Sequence, residues 1–183
     1  MKEIQINHTD RLALIDDCDY EEITKWKWKL VGEYIEHIVD RRKKKNGKKI
    51  GFKKRYFIHR YIWELHNGTI PDGYIIDHID RNPFNNQLSN LRLATPSQNN
   101  LNKSRQANID SGFIGVSRYE DTHTWKDGTI TIKKYWLASV PLKGKCYKKY
   151  FEYTDEGKVL AAKWYDMKRK ELCGEFHGQL NFD

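Results

Sequence analysis

No run of apolar residues approaches the length of a membrane span, and no apolar stretch follows Met1 as a secretory leader would require. Insertion, secretion and a membrane partner are therefore not expected. Cysteine is sparse as well. Cys18, Cys146 and Cys173 are far apart, odd in number, and form no Cys-x-x-Cys pair. This argues against a disulfide framework and a structural zinc, and it suits a reducing, cytoplasmic compartment. Hydrophobic residues make up only 38% of the 183, which is low for a single large core. The 6 Trp, 11 Tyr and 7 Phe offset this with large buried areas per residue, and they fit compact modules. No internal repeat is visible.

Acid is missing from one stretch. From Arg41 to Arg55, RRKKKNGKKIGFKKR, ten of fifteen residues are basic and none is acidic. The cations are Arg41, Arg42, Lys43, Lys44, Lys45, Lys48, Lys49, Lys53, Lys54 and Arg55. A charge run alone reads as a solvated loop. Here Asn46-Gly47 is a hairpin signal, and the tract leads into the most unusual part of the chain. With a net charge of +8, the expectation is an anionic partner and a basic hairpin that tracks phosphates without reading sequence.

Three segments are expected: 1–55, a β-rich basic region; 56–108; and 109–183. In the first, RLALIDD and EYIEHIV read as strands, and DYEEITKWKW as a helical turn running into a strand. In the second, RYFIHRYIWELHNG begins as a strand and continues as a helix, with Tyr61, Ile62 and Leu65 at helical spacing and Gly68 as its stop. YII (74–76) and NLRLAT read as strands around an Asn-rich loop. Thr95, Pro96 and Gln98 mark a capped helix start, with Asn99 in the first turn. In the third, GVSRY, YWLASVPL and CYKKYFEY read as three strands, with YEDTHTWKDGTITIKK extending the first hairpin. The helix after them starts at Thr154 and ends at Gly174, with Ala161, Ala162, Tyr165 and Leu172 as its core stripe. Lys168, Arg169 and Lys170 suit its negative end.

The stretch YIIDHIDRNPFNNQLSNLRLATPSQNN combines one Asp-His pair with many asparagines. Phosphodiester hydrolysis needs an activated water, a cation over the phosphate and stabilisation of the leaving oxygen. A neutral histidine is a suitable base near pH 7. A carboxylate and an amide oxygen suit a hard cation that keeps several waters. Neighbouring strand residues face opposite ways, so Asp77 and His78 can share a site only where the strand ends.

The run IHRYIWELHNGTIPDGYIIDHIDRNPFNNQLSNLRLATPSQNN resembles the HNH endonucleases, of the zinc-free kind found in phages and group I introns. The resemblance covers about residues 56–103. It implies a ββα-metal fold that cleaves double-stranded DNA with one divalent cation, Mg²⁺ or else Mn²⁺, in a phage-infected bacterial cell. By position it implies His78 as general base, Asp77 and Asn99 as metal ligands, and Asn90 as the residue holding the loop. His59 would have a structural or phosphate-contact role at the site. Asn82, Asn85 and Asn86 are expected only to build the loop, and His66 and His123 to be surface residues without a role.

The third segment, closing in Gly-Glu-Phe and Leu-Asn-Phe, resembles the AP2 DNA-binding domain: a three-stranded antiparallel sheet backed by one helix. DNA-contacting positions would then be Ser117, Tyr119, Ser139, Pro141, Lys145 and Tyr147, with Arg118, Lys143, Lys148 and Lys149 adding charge. Several of these are arginine in the plant members, which puts bidentate base readout in question. The whole is expected to be an α+β, homing-type nicking endonuclease acting as a monomer, with a dimer as the route to double-strand breaks. The alternative is an inert DNA-binding regulator.

Overall fold

The computed structural model describes residues 1–45 and 48–182, apart from the side chains of Lys44, Lys45, Lys48 and Lys49. Asn46-Gly47, expected as a hairpin turn, thus lies outside the described residues, and of those four lysines only the backbone is described. The fold is mixed α+β, with several small antiparallel sheets and few helices. The chain divides into two compact units, Met1–Asn99 and Asn100–Asp183.

In the first unit, β1 (Lys2–Gln5) pairs antiparallel with β2 (Leu12–Ile15). A 3₁₀ turn at Asp17–Asp19 leads into the single-turn α1 (Tyr20–Ile23). β3 (Lys29–Val31), β4 (Tyr34–Asp40) and, later, β7 (Lys53–Phe57) form a three-stranded sheet in the order β3-β4-β7. Between β4 and β7 the basic tract forms a strand pair, β5 (Lys43–Lys45) with β6 (Lys48–Ile50).

β7 runs straight into α2 (Ile58–Asn67), which stops at Gly68 with φ +76°. Ile58 and Ile62, four residues apart, line one face and are fully buried. Leu65, expected on that inner face, is exposed in the last turn instead. β8 (Ile75–His78) and β9 (Leu91–Ala94) form a two-stranded ladder, and α3 (Pro96–Asn102) follows. One cluster joins Ile4, Ile6, Ile15, Ile23, Trp28 and Ile35 to Ile58, Ile62, Ile76 and Leu91. Residues 1–55 therefore share their core with the segment that follows them.

In the second unit, β10 (Val116–Thr124), β11 (Ile130–Leu142) and β12 (Lys145–Glu152) form an antiparallel sheet in chain order. The first hairpin continues to the Thr124–Ile130 pair, through the stretch YEDTHTWKDGTITIKK that was expected to extend it. Lys143 and Gly144, both at positive φ (+48° and +77°), close the second hairpin in two residues. That is the turn geometry whose twist matches the strands. α4 (Asp155–Cys173) is capped by Thr154 Oγ1, which accepts from Gly157 N at 3.0 Å.

Ala161 and Ala162 pack on Val116, Trp136 and Ala138, and Tyr165 packs on Ile114 and Val140. Gly115 lies under the Tyr165 ring, so closely that a Cβ there would sit 2.0 Å from a ring carbon. Arg169, expected only as a charge suiting the negative end of the helix, is 1% exposed. It donates to His177 O and Leu101 O, because the chain after α4 folds back and brings carbonyls that need donors. Asp166 holds the same segment, accepting from Asn181 N and Phe182 N, each at 2.9 Å.

Candidate active site

Asp77 and His78 are the last two residues of β8, opposite Arg92 and Leu91 of β9. The loop after His78 is closed by side-chain amides. Asn90 Oδ1 accepts from Asp80 N (3.0 Å), and its Nδ2 donates to Asp80 Oδ1 (2.9 Å) and Asn85 O (2.8 Å). Asp80 Oδ1 also accepts from Asn82 N, and its Oδ2 accepts from Asn85 Nδ2. Such short amides and carboxylates satisfy a loop backbone that has no ladder. The N-terminal segment clamps the loop from outside: Leu14 N donates to Phe84 O, Asn86 N to Leu14 O, and Leu88 N to Asp16 Oδ2.

Asn86 has a different place from the one expected. It is fully buried, and its Oδ1 lies 3.2 Å from His78 Nε2. Its Nδ2 donates to Pro83 O at 3.2 Å, which fixes the amide so that only an acceptor faces the ring. His78 Nε2 must then carry the hydrogen, and the basic lone pair falls on Nδ1. Asn86 is thus more than a loop builder. Its signal in the sequence is an Asn four residues before Asn90, indistinguishable there from its neighbours.

His59, in the first turn of α2, is 7% exposed and meets His78 edge to face, with ring centroids 5.2 Å apart. Phe57 and Tyr34 flank its other sides. Burial, with His78 and Arg60 nearby, pushes the His59 pKa down to about 3, so the ring is neutral at neutral pH. Burial also pulls His78 below the ordinary 6.5, against the opposing effects of the Asn86 bond and the Asp80 and Asp77 charges. Both effects favour an uncharged, proton-accepting His78.

Asp77 is buried and paired with Arg92, whose Nε donates to Oδ2 at 2.9 Å. Arg92 was not singled out in the sequence, where it reads as one more strand cation. Asn99 is half-buried, in the first turn of α3, with its N–H bonded to Thr95 O. A reciprocal capping box fixes that turn: Thr95 N donates to Gln98 Oε1 (2.8 Å) and Gln98 N to Thr95 Oγ1 (3.3 Å). β9 lies beside β8 and leads through Thr95 into this turn, so one connection carries both Arg92 and Asn99.

Of the basic tract, Lys53, Lys54 and Arg55 lie exposed on β7, which feeds the helix bearing His59. Lys43 and Arg41 are exposed as well, whereas Arg42 is tied to Asp40 at 2.6 Å. In the second unit, paired residues of adjacent strands share a face. Ser117, Tyr119, Ser139, Pro141 and Lys148 fall on the face away from α4, with Tyr135 and Tyr150. Tyr119 and Tyr135 each meet the Tyr150 ring there. Arg118, Lys145, Tyr147 and Lys149 belong to the other face by register, where Tyr147 packs beside α4 under Lys168. Lys143 is exposed in the turn. The sheet thus divides between two faces the residues that the sequence grouped as expected DNA contacts.

A sequence model of the HNH endonuclease family matches residues 56–101. Protein 3.8 of Escherichia phage T7 is 39% identical over 118 residues, which is 64% of this chain and 85% of that protein. An uncharacterized HNH endonuclease of Acanthamoeba polyphaga mimivirus is 33% identical over 159 residues, covering 86% of this chain and 72% of the relative. A prophage-derived protein of Bacillus subtilis, provisionally named an HNH homing endonuclease, is 37% identical over 64 residues, 35% of this chain and 36% of its own length. No solved structure matches. The matched segment contains the whole β8–loop–β9–α3 arrangement, save only Asn102, and the chain belongs to the HNH endonuclease family.

Proposed function

We propose that this protein is a DNA endonuclease that hydrolyses one strand per active site, with His78 as its general base. The observation that carries the reading is the contact of His78 Nε2 with Oδ1 of the buried Asn86 at 3.2 Å. It assigns the hydrogen to Nε2 and the lone pair to Nδ1, while burial holds the ring below its ordinary pKa. Nδ1 takes the proton of a water as its oxygen attacks phosphorus in line. The bond from phosphorus to the 3′ oxygen breaks, and the departing oxygen takes a proton from solvent, leaving a 5′-phosphate and a 3′-hydroxyl. His59, uncharged and packed against the His78 ring, limits the ring's rotation without competing for the proton.

The donors at hand, the Asp77 carboxylate and the Asn99 amide oxygen, are hard oxygen ligands without sulfur, and they fit Mg²⁺ or Mn²⁺. When bound, such a cation supplies charge stabilisation at the scissile phosphate and the leaving oxygen. Arg92 holds Asp77 in place and offsets its buried charge.

In this reading residues 56–108 are the nuclease module and 109–183 an AP2-like DNA-binding module. The tyrosine-bearing face of its sheet, with Lys148 and Ser117, lies against DNA. Tyrosines and lysines in place of arginine pairs favour backbone contact over base readout. The exposed cations of 41–55 add sequence-independent affinity. A homing role suits a nuclease with separate cutting and binding modules.

Supercoiled plasmids carrying candidate phage segments test the reading, with Mg²⁺, Mn²⁺ or EDTA and with His78→Ala in parallel. Metal-dependent open circles, lost in EDTA and in the variant, are expected. DNA binding without cleavage across all segments and metals would favour an inert binding protein. Cleavage that survives His78→Ala would remove His78 as the base.

A further inference from the structure

Cys18, Asp19 and His66 bring a thiol, a carboxylate and an imidazole together, with their ligand atoms within 4.8 Å of one another. The first two come from the 3₁₀ turn before α1, and the third from the last turn of α2. Asp19 is 4% exposed. Its Oδ1 meets His66 Nε2 at 2.7 Å, while its Oδ2 is buried and has no hydrogen-bond partner among the described residues. Buried carboxylate oxygens are ordinarily satisfied, so the unmet Oδ2 is an observation separate from the clustering. His66, expected as a surface residue without a role, is in fact Asp19's partner. The cysteine spacing argued against structural zinc because it offers no local motif; a group drawn from two separate elements would leave none.

We propose that Cys18, Asp19 and His66 form a binding site for a borderline-soft divalent ion, Zn²⁺ by donor chemistry, independent of the Asp77–His78 site. A thiolate and an imidazole select against Mg²⁺ and Ca²⁺, which take oxygen ligands. Zn²⁺ accepts cysteine sulfur, histidine nitrogen and carboxylate oxygen in tetrahedral order, with water able to fill the fourth position. Binding needs the thiolate and a neutral imidazole, so it releases protons. The ion would take up the unmet oxygen of Asp19 and replace the direct Asp19–His66 contact. It would fasten the turn before α1 to the end of α2 across 47 residues of chain. His59 lies seven residues earlier on the same helix, about 10 Å along its axis. The site therefore braces the helix that carries His59 and takes no part in the chemistry.

The test uses the full chain, stripped of metal and titrated with Co²⁺ and Zn²⁺. One equivalent of Co²⁺ should give a thiolate-to-cobalt charge-transfer band that Zn²⁺ displaces. Cys18→Ser should abolish the band, and His66→Ala should weaken Zn²⁺ binding by more than the ~10–100-fold that loss of a supporting partner costs. Asp77→Ala, which touches the sulfur-free site, should leave the band intact, as should Cys146→Ser. Cys18 is exposed, so its serine variant keeps the fold, checked by circular dichroism. No band in the wild-type chain, or a band that survives Cys18→Ser, would overturn the proposal.

Discussion

Replacing Asn86 by Asp should raise the pKa of His78 by about 1–3. The amide oxygen now 3.2 Å from Nε2 would become a carboxylate oxygen at the same place, in a fully buried position where screening is weak. In the native chain burial holds His78 below 6.5, with the Asn86 bond the largest opposing effect. A charge in that bond strengthens the pull towards the imidazolium. Once the pKa exceeds the assay pH, each further rise of one cuts the neutral fraction about tenfold, so cleavage at pH 7 should fall by the same factor. The acid limb of the pH–rate profile should move to higher pH, since the base works deprotonated. The substitution also removes the donor to Pro83 O, costing about 1–3 kcal/mol of stability. Asn86→Leu should do the opposite to the titration, lowering the His78 pKa because the bond that raises it is gone. Titrating the ring protons of His78 by NMR in both variants reads this directly, with or without a cleavage assay. Shifts of the same sign in Asp and Leu variants, or none, would show that Asn86 does not set the state of the ring.

His59 makes stability depend on pH. Its folded pKa of about 3 lies below the ordinary 6.5, so its contribution is complete above pH 6.5 and is lost as the pH falls towards 3. Between pH 7 and pH 5 this amounts to about 2 kcal/mol. Urea melts of His59→Gln at the two pH values should show a correspondingly flatter dependence, and an unchanged one would refute the burial argument. Arg92→Met removes the guanidinium that donates to the buried Asp77 carboxylate and should destabilise the chain by about 3–5 kcal/mol. Added Mg²⁺ should recover part of this in thermal melts, and Asp77→Asn in the same chain should offset the loss. Gly115→Ala combines a positive φ with a Cβ 2.0 Å from the Tyr165 ring, for a cost of about 2–5 kcal/mol. Gly112→Ala, with similar φ and open space around it, should cost only ~1–2 kcal/mol. Equal melting temperatures for the two would show that the ring can move aside.

The local elements were legible because their signals are local. The Thr-Pro-x-Gln start of α3, the Gly68 stop and the Lys143-Gly144 turn each need only a few neighbouring residues to specify a backbone shape. The sequence by itself also determined the family, since Asp77, His78, Asn90 and Asn99 fall within one contiguous segment with characteristic spacing. It could not rank the asparagines. Asn82, Asn85 and Asn86 are chemically the same in a string, and only the closed loop turns one amide onto His78 and buries it. Nor could it show that Arg92 neutralises Asp77, because that pairing depends on the β8–β9 register. Arg169 read as a helix-end charge until the returning chain laid its carbonyls against it. Strand register likewise separated Ser117, Tyr119 and Lys148 from Arg118, Lys145 and Tyr147, since alternate residues face opposite ways. The Cys18–Asp19–His66 group was invisible for the same reason. Cys18 and Asp19 are adjacent, but His66 lies 47 residues beyond Asp19, and contacts between distant residues are set by packing around a shared core, not by spacing.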